Sequence, residues 1–224
     1  NYCHTPPRFL WHLSGEGNRG ILELLLSKLR LYDQVSAQRV DFFIAGSKNA
    51  QSRIKKIYRR ESKVVYPFID LERFKNVEAF DGGYFLVIAR KNKYKRIDLA
   101  KAACEKLNIP LKIISGGLTD QIVVAILAGC RALIIAGEED FGLTSLEAQV
   151  LGKPVVAYAA GGAMETTSGI FFEEQTVDSL VSALKKLSSK KMNPQDALLN
   201  AKRFSKENFI RNFKQTVASL VYTY

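Results

Sequence analysis

The chain has 224 residues, 47% of them hydrophobic and 25% charged, the composition of a soluble globular protein with one ordinary domain or one domain plus an appendage. A core of that size forms without disulfides or a structural metal. Its 33 Lys and Arg outnumber 22 Asp and Glu for a net charge of +11, which favours phosphate groups, anionic lipid or nucleic acid without choosing among them.

Asn1–Trp11 has no charged start leading into an apolar run, so no secretion signal is expected. No stretch approaches the roughly 20 apolar residues of a membrane span. Gly15, Gly17 and Gly20 form G-x-G-x-x-G before a helix. The dinucleotide site that uses this spacing needs a strand directly before it and an acid about twenty residues on. Phe9–Leu13 is a weak strand behind Pro6-Pro7, and Asp33 and Asp41 are poorly placed. A loop entering a helix is the better reading, and no NAD binding is expected. Ile21–Leu31 reads as a leucine-rich helix. Phe42–Ala45 and Val64–Tyr66 read as brief strands flanking a basic helix at Gln51–Arg60.

From Tyr84 the pattern changes. Tyr84–Ala89, Leu111–Ser115, Ala132–Ala136, Val155–Tyr158 and Ile170–Phe172 are short apolar runs, as strands buried on both faces require. Between them, Arg96–Leu107, Asp120–Ala128, Ser145–Leu151 and Val177–Leu187 carry apolar residues at helical spacing. The alternation predicts an α/β fold, a parallel sheet flanked by helices. Pro194–Val221 reads as two helices broken near Ser205.

Three motifs sit at predicted strand ends, where open α/β sheets bind ligands. Arg90, Lys91, Lys93, Lys95 and Arg96 follow the first sheet strand, and such a cluster can grip a diphosphate. A solvated loop is the plainer alternative. After Ala132–Ala136 come Glu139, Phe141-Gly142-Leu143 and Glu147, with a helix starting near Thr144. Gly142 lets a ligand approach the backbone, the helix N-terminus favours an anion, and Glu147 can accept from two vicinal ribose hydroxyls. Thr144-x-x-Glu147 is also a capping box. Gly161-Gly162, after Val155–Tyr158, is a weaker signal of the same kind.

Cys3, Cys104 and Cys130 lack metal-ligand spacing, and His4 and His12 are the only histidines. Buried thiols in the cytoplasm are expected, with neither a metal site nor a Ser-His-Asp triad.

These residues together resemble the family 4 glycosyltransferases, retaining enzymes of the two-lobed GT-B fold. Glu139 to Glu147 is their E-x7-E motif, followed by Ala148-Gln149-x-x-Gly152-Lys153-Pro154-Val155. Arg90 with Tyr94-Lys95-Arg96 resembles their diphosphate site. Residues 2–11, 43–49 and 66–70 are similar to those of mannosyltransferases that build surface polysaccharide.

The resemblance implies a role for each position. Arg90 and Lys95 would hold the donor diphosphate and, with amides near Leu143 and Thr144, stabilise charge on the leaving group. Glu147 would bind the ribose, and Glu139, with the backbone of Phe141, Gly142 and Leu143, would face the transferred sugar. No divalent metal or cofactor is implied. The expected donor is GDP-mannose, and the expected acceptor is lipid-linked or a growing glycan.

Residues 1–80 would be the remnant or linker of the N-terminal lobe, 81–192 the Rossmann-like donor-binding domain, and 193–224 helices packing back on it. A separate acceptor-lobe chain would then complete the enzyme. A non-catalytic nucleotide-sugar-binding or scaffold subunit is the alternative. Ser115-Gly116-Gly117 runs almost directly into Leu118-Thr119-Asp120, where relatives carry another helix and an edge strand. The basic stretches Arg53–Arg60, Lys185–Lys191 and Lys202–Lys214 suggest peripheral contact with the inner membrane face or a solvated helix face. No nucleic-acid-reading motif is present.

Overall fold

The computed structural model describes residues 1–11, 22–190 and 192–221. The Gly15–Gly20 motif, His12 and Lys191 lie outside the described residues. Contacts divide the chain into two units, Asn1–Pro67 with Glu207–Tyr224, and Phe68–Lys206. Among the described residues no helix is long and apolar enough to cross a membrane.

The first unit contains β1 (Tyr2–Cys3), α1 (Leu22–Gln38), β2 (Phe43–Ala45), α2 (Lys48–Tyr58) and β3 (Ser62–Val64). Its strands form a parallel sheet in the order β1-β2-β3. Phe43 and Ala45 of the central strand pack on Ala37, Ala50, Ile54 and Tyr58. Ser47 caps α2 by accepting the Ala50 N–H at 2.9 Å. β3 starts two residues before the expected Val64, because its register pairs Ser62 with Phe43 and Val64 with Ala45. Phe9 to Trp11 form a turn rather than a weak strand, with the Leu10 and Trp11 N–H groups donating to the Pro7 carbonyl. Helix α1 continues past Leu31 and leaves Leu24, Leu25, Leu29 and Tyr32 exposed.

The second unit carries the expected α/β sheet. In chain order come β4 (Tyr84–Ile88), α3 (Ile97–Leu107), β5 (Leu111–Ile114), α4 (Asp120–Ala128), β6 (Cys130–Ile135), α5 (Leu143–Val150), β7 (Val155–Tyr158), α6 (Ala163–Thr166), β8 (Ile170–Phe172), α7 (Val177–Ser189) and α8 (Pro194–Lys202). All strand pairs are parallel, in the order β5-β4-β6-β7-β8. The short path from Gly116-Gly117 into α4 adds no strand beyond β5, which therefore stands at the sheet edge.

Alternation along the strands explains why their residues are apolar throughout. Phe85, Val87, Ala132, Ile134 and Val156 join Leu99, Ala103, Leu180 and Leu184 of α3 and α7 in one core. Leu86, Leu133 and Val155 are the alternate positions and are buried too. Helices α4 and α5 pack on β6. A final helix, α9 (Lys206–Val221), carries the chain into the first unit. There the Phe209 and Phe213 rings lie 6.0 and 6.1 Å from the ring of Tyr2.

Cys104 and Cys130 are buried, as expected, whereas Cys3 is only half-buried; burial pushes the Cys104 and Cys130 thiols from 9.0 up to about 11. The native state thus keeps protons that the unfolded chain loses. This contribution to stability is full below the unfolded pKa and is lost as pH rises through the folded one. Urea midpoints should therefore fall between about pH 9 and pH 11. The fall should be shallower in a Cys104→Ala, Cys130→Ala double variant; an equal fall would assign the effect to other groups.

Candidate functional site

The carboxyl ends of β4, β6 and β7 bring three loops together. After β4, Arg90 is exposed and forms no ion pair among the described residues. The chain then makes a 3-10 turn at Lys93–Lys95, and Arg96, in a left-handed conformation, starts α3. This turn lies directly on the end of β6. A methyl carbon at Gly137 would sit 2.0 Å from the Tyr94 carbonyl oxygen and 2.6 Å from Lys95 Cα. Only a residue without a side chain permits that approach.

The approach places Lys95 against Glu139. Lys95 Nζ donates to both carboxylate oxygens, at 2.7 and 2.6 Å, and the side chains are only 17% and 16% exposed. The Lys95 ammonium also lies 5.2 Å from the Tyr94 ring centre. Two residues expected to face different parts of a ligand are thus partners of each other. The Glu139 carbonyl accepts the Gly162 N–H at 2.8 Å, joining the loops after β6 and β7.

Helix α5 begins at Leu143, one residue before the expected Thr144, because Gly142 at φ +97° forms its N-cap. That left-handed conformation is costly for any residue with a Cβ. Gly142 supplies no side-chain cap and its carbonyl accepts the Ser145 N–H at 3.0 Å, so the amides of Leu143 and Thr144 and the helix dipole favour an anion. The Thr144–Glu147 capping box does not form. Glu147 lies in the second turn and accepts instead from Arg73 Nη1 at 2.8 Å. The Phe141 side chain is buried against Phe204, ring centres 5.6 Å apart, which leaves its backbone to line the loop.

Behind this surface lies a buried polar network centred on Gln149. Its amide nitrogen donates to the Ser145 carbonyl at 3.0 Å, Ser145 Oγ at 2.9 Å and the Thr166 carbonyl at 2.9 Å. Its oxygen accepts from the Ser168 N–H at 3.0 Å and from Asn200 Nδ2 at 2.7 Å. The network thereby ties α5 to the chain after α6 and to α8. Nearby, the buried Lys153 donates to the Phe80 carbonyl at 2.7 Å, and burial pulls its ammonium below the usual lysine range.

Lys95 and Glu139 are thus in contact, and Gly142, Leu143, Thr144 and Glu147 share the start of one helix. Arg90 is held by none of them. Arg73 and Asp120 belong to none of the strand-end motifs. Arg73 is in a 3-10 turn at Leu71–Phe74 and Asp120 begins α4, far in sequence from Glu147 and without a periodic signal.

Residues 71–190 match the family profile described as glycosyl transferases, group 1. No curated protein matches the chain. Among solved structures it is similar to a sucrose-phosphate synthase from Thermosynechococcus elongatus, with a TM-score of 0.70 and 13% identity over 88% of this chain and 63% of that one. A glycosyltransferase from Rickettsia africae gives a TM-score of 0.68 and 16% identity over 80% and 63%. Anabaena HepE, solved with UDP and glucose, gives 0.68 and 18% over 86% and 67%. At these identities the likeness is one of fold. The chain spans 63% of the length of each of the first two.

Proposed function

Because the chain belongs to the group 1 glycosyl transferases, we propose that its second unit binds a nucleotide-sugar donor and supports transfer of the sugar to an acceptor. The observation that carries this reading is the Lys95–Glu139 pair at the ends of β4 and β6, beside the uncapped start of α5. A diphosphate there would draw the Lys95 ammonium partly away from Glu139. Arg90, exposed on the same loop, would add a second cation.

As the bond to the sugar breaks, negative charge grows on the departing diphosphate. Fixed cations and the amides of Leu143 and Thr144 stabilise that charge without reorganising. Glu147 receives the ribose hydroxyls. Glu139, relieved of part of its ion pair, faces the sugar beside the Phe141–Leu143 backbone.

The finer reading is mannosyl transfer from GDP-mannose with retention, onto a lipid-linked or polysaccharide acceptor. It is supported by the similarity of residues 2–11, 43–49 and 66–70 to those of mannosyltransferases. The acceptor side would come from a separate lobe, with the protein cytoplasmic and in peripheral contact with the inner membrane face through its basic helices. HepE was solved with UDP-glucose, which makes UDP-sugars the natural comparison.

Calorimetric titration of the full chain with GDP, GDP-mannose, UDP and UDP-glucose tests the donor. Lys95→Ala and Glu147→Ala should each weaken the bound nucleotide about tenfold, the scale of one lost charge-assisted contact. Unchanged affinity in both variants would remove the site from these strand ends.

A further inference from the structure

Arg73 enters the candidate site from outside the strand-end loops. Its guanidinium uses separate edges for two carboxylates. Nη1 donates to Glu147 Oε1 at 2.8 Å, while Nε donates to Asp120 Oδ2 at 3.0 Å and Nη2 to Asp120 Oδ1. The buried Phe74 anchors the turn that carries it, and the guanidinium carbon lies 5.3 Å from the Phe74 ring centre. The Arg73 and Glu147 side chains are 31% and 16% exposed, against 61% for Asp120. Both bonded carboxylates hold the guanidinium charged, well above the usual arginine range.

Stability alone is a poor account of this arrangement, because exposed ion pairs contribute about 0–1 kcal/mol. Geometry is a better one. A carboxylate that receives two vicinal hydroxyls must present both oxygens in one plane, and a glutamate has three side-chain torsions to fix. Arg73 engages Oε1 only. It therefore orients the carboxylate while leaving Oε2, and a second lone pair on Oε1, for a ligand. Its other edge holds Asp120 at the first residue of α4, so the brace is anchored on two helix starts. A lysine, as a point charge, could not hold both carboxylates in this way.

We propose that Arg73 is a positioning residue of the donor site, which fixes the Glu147 carboxylate to receive the ribose 2′- and 3′-hydroxyls and so selects ribonucleotide over deoxyribonucleotide donors. This rests on the reading of Glu147 as the ribose ligand.

The test compares GDP with 2′-deoxy-GDP and UDP with 2′-deoxy-UDP by calorimetry on the full chain, with inorganic pyrophosphate as a probe of the Lys95 end. The wild-type chain should prefer the ribose form by about tenfold, one hydrogen bond to a charged group. Glu147→Ala and Arg73→Ala should each bring that preference within about twofold, and pyrophosphate affinity should change less than about threefold. The double variant should be no worse than Glu147→Ala alone, since both act on one contact. Arg73→Lys should recover little of the preference.

An Arg73→Ala chain that keeps the wild-type ribose preference overturns the proposal. So does one that weakens pyrophosphate and nucleotide alike while its melting midpoint falls, the mark of a purely structural role. Tighter nucleotide binding would make Arg73 a competitor and overturns it too. If Arg73→Ala does not fold, Arg73→Gln, of similar reach, carries the same comparison. A wild-type chain without ribose preference, or a Glu147→Ala chain that keeps it, removes the Glu147 reading and the proposal falls with it.

Discussion

Replacing Gln149 by leucine should lower the stability of the chain by about 3 kcal/mol and its melting midpoint by on the order of 10 °C. Leucine fills nearly the same volume, so the effect isolates the amide. Gln149 is fully buried and serves five partners: the Ser145 carbonyl and hydroxyl, the Thr166 carbonyl, the Ser168 N–H and the Asn200 amide. Thr166 would still be served by Asn200 at 2.8 Å, and the Ser145 hydroxyl by Thr167 at 2.7 Å. The Ser168 N–H would lose its acceptor in a part-buried site, and buried unsatisfied groups are the costly ones. Urea denaturation of Gln149→Leu checks this. A loss below about 1 kcal/mol would mean that water replaces the amide.

Gly137→Ala should weaken nucleotide binding by about thirtyfold or more, roughly 2 kcal/mol, and cost about 1–3 kcal/mol of stability through overpacking. The added methyl would meet the Tyr94 carbonyl oxygen, Lys95 Cα and the Lys95 carbonyl carbon, all within 2.9 Å. These are backbone atoms and cannot rotate away. The 93–95 turn must lift, carrying Lys95 from Glu139, so one methyl displaces a cation from the acid it bonds. Titration with GDP and UDP beside a thermal melt reads both effects. Intact affinity in a destabilised chain would separate the turn from the ligand.

The second unit was legible because its strands are buried on both faces. Continuous runs such as Val155–Tyr158 and Ile170–Phe172 coincide with β7 and β8 residue for residue. β6 begins earlier than expected, at Cys130, because Cys130 pairs with Tyr84 although Arg131 breaks the apolar run. In the first unit β1 is two residues long, too short for any periodicity. Its partners set it, and those lie far along the chain.

The candidate site divides in the same way. Glu139, Gly142 and Glu147 declare themselves by spacing around one helix start. The Lys95–Glu139 pair spans 44 residues and the Arg73–Glu147 pair 74. Such pairs depend on which strand ends and turns the topology makes neighbours. The capping box does not form because Gly142, left-handed two residues before Thr144, starts the helix at Leu143.

The division of the chain also has a bearing on how it is made. The second unit is continuous from Phe68 to Lys206, whereas the first is assembled from the segments on either side of it. During synthesis residues 68–206 emerge together and can complete their contacts as a block. Tyr2 must wait for Phe209 and Phe213, some two hundred residues later, and closing so long a loop is slow. The first unit therefore closes after the second, once α9 has emerged.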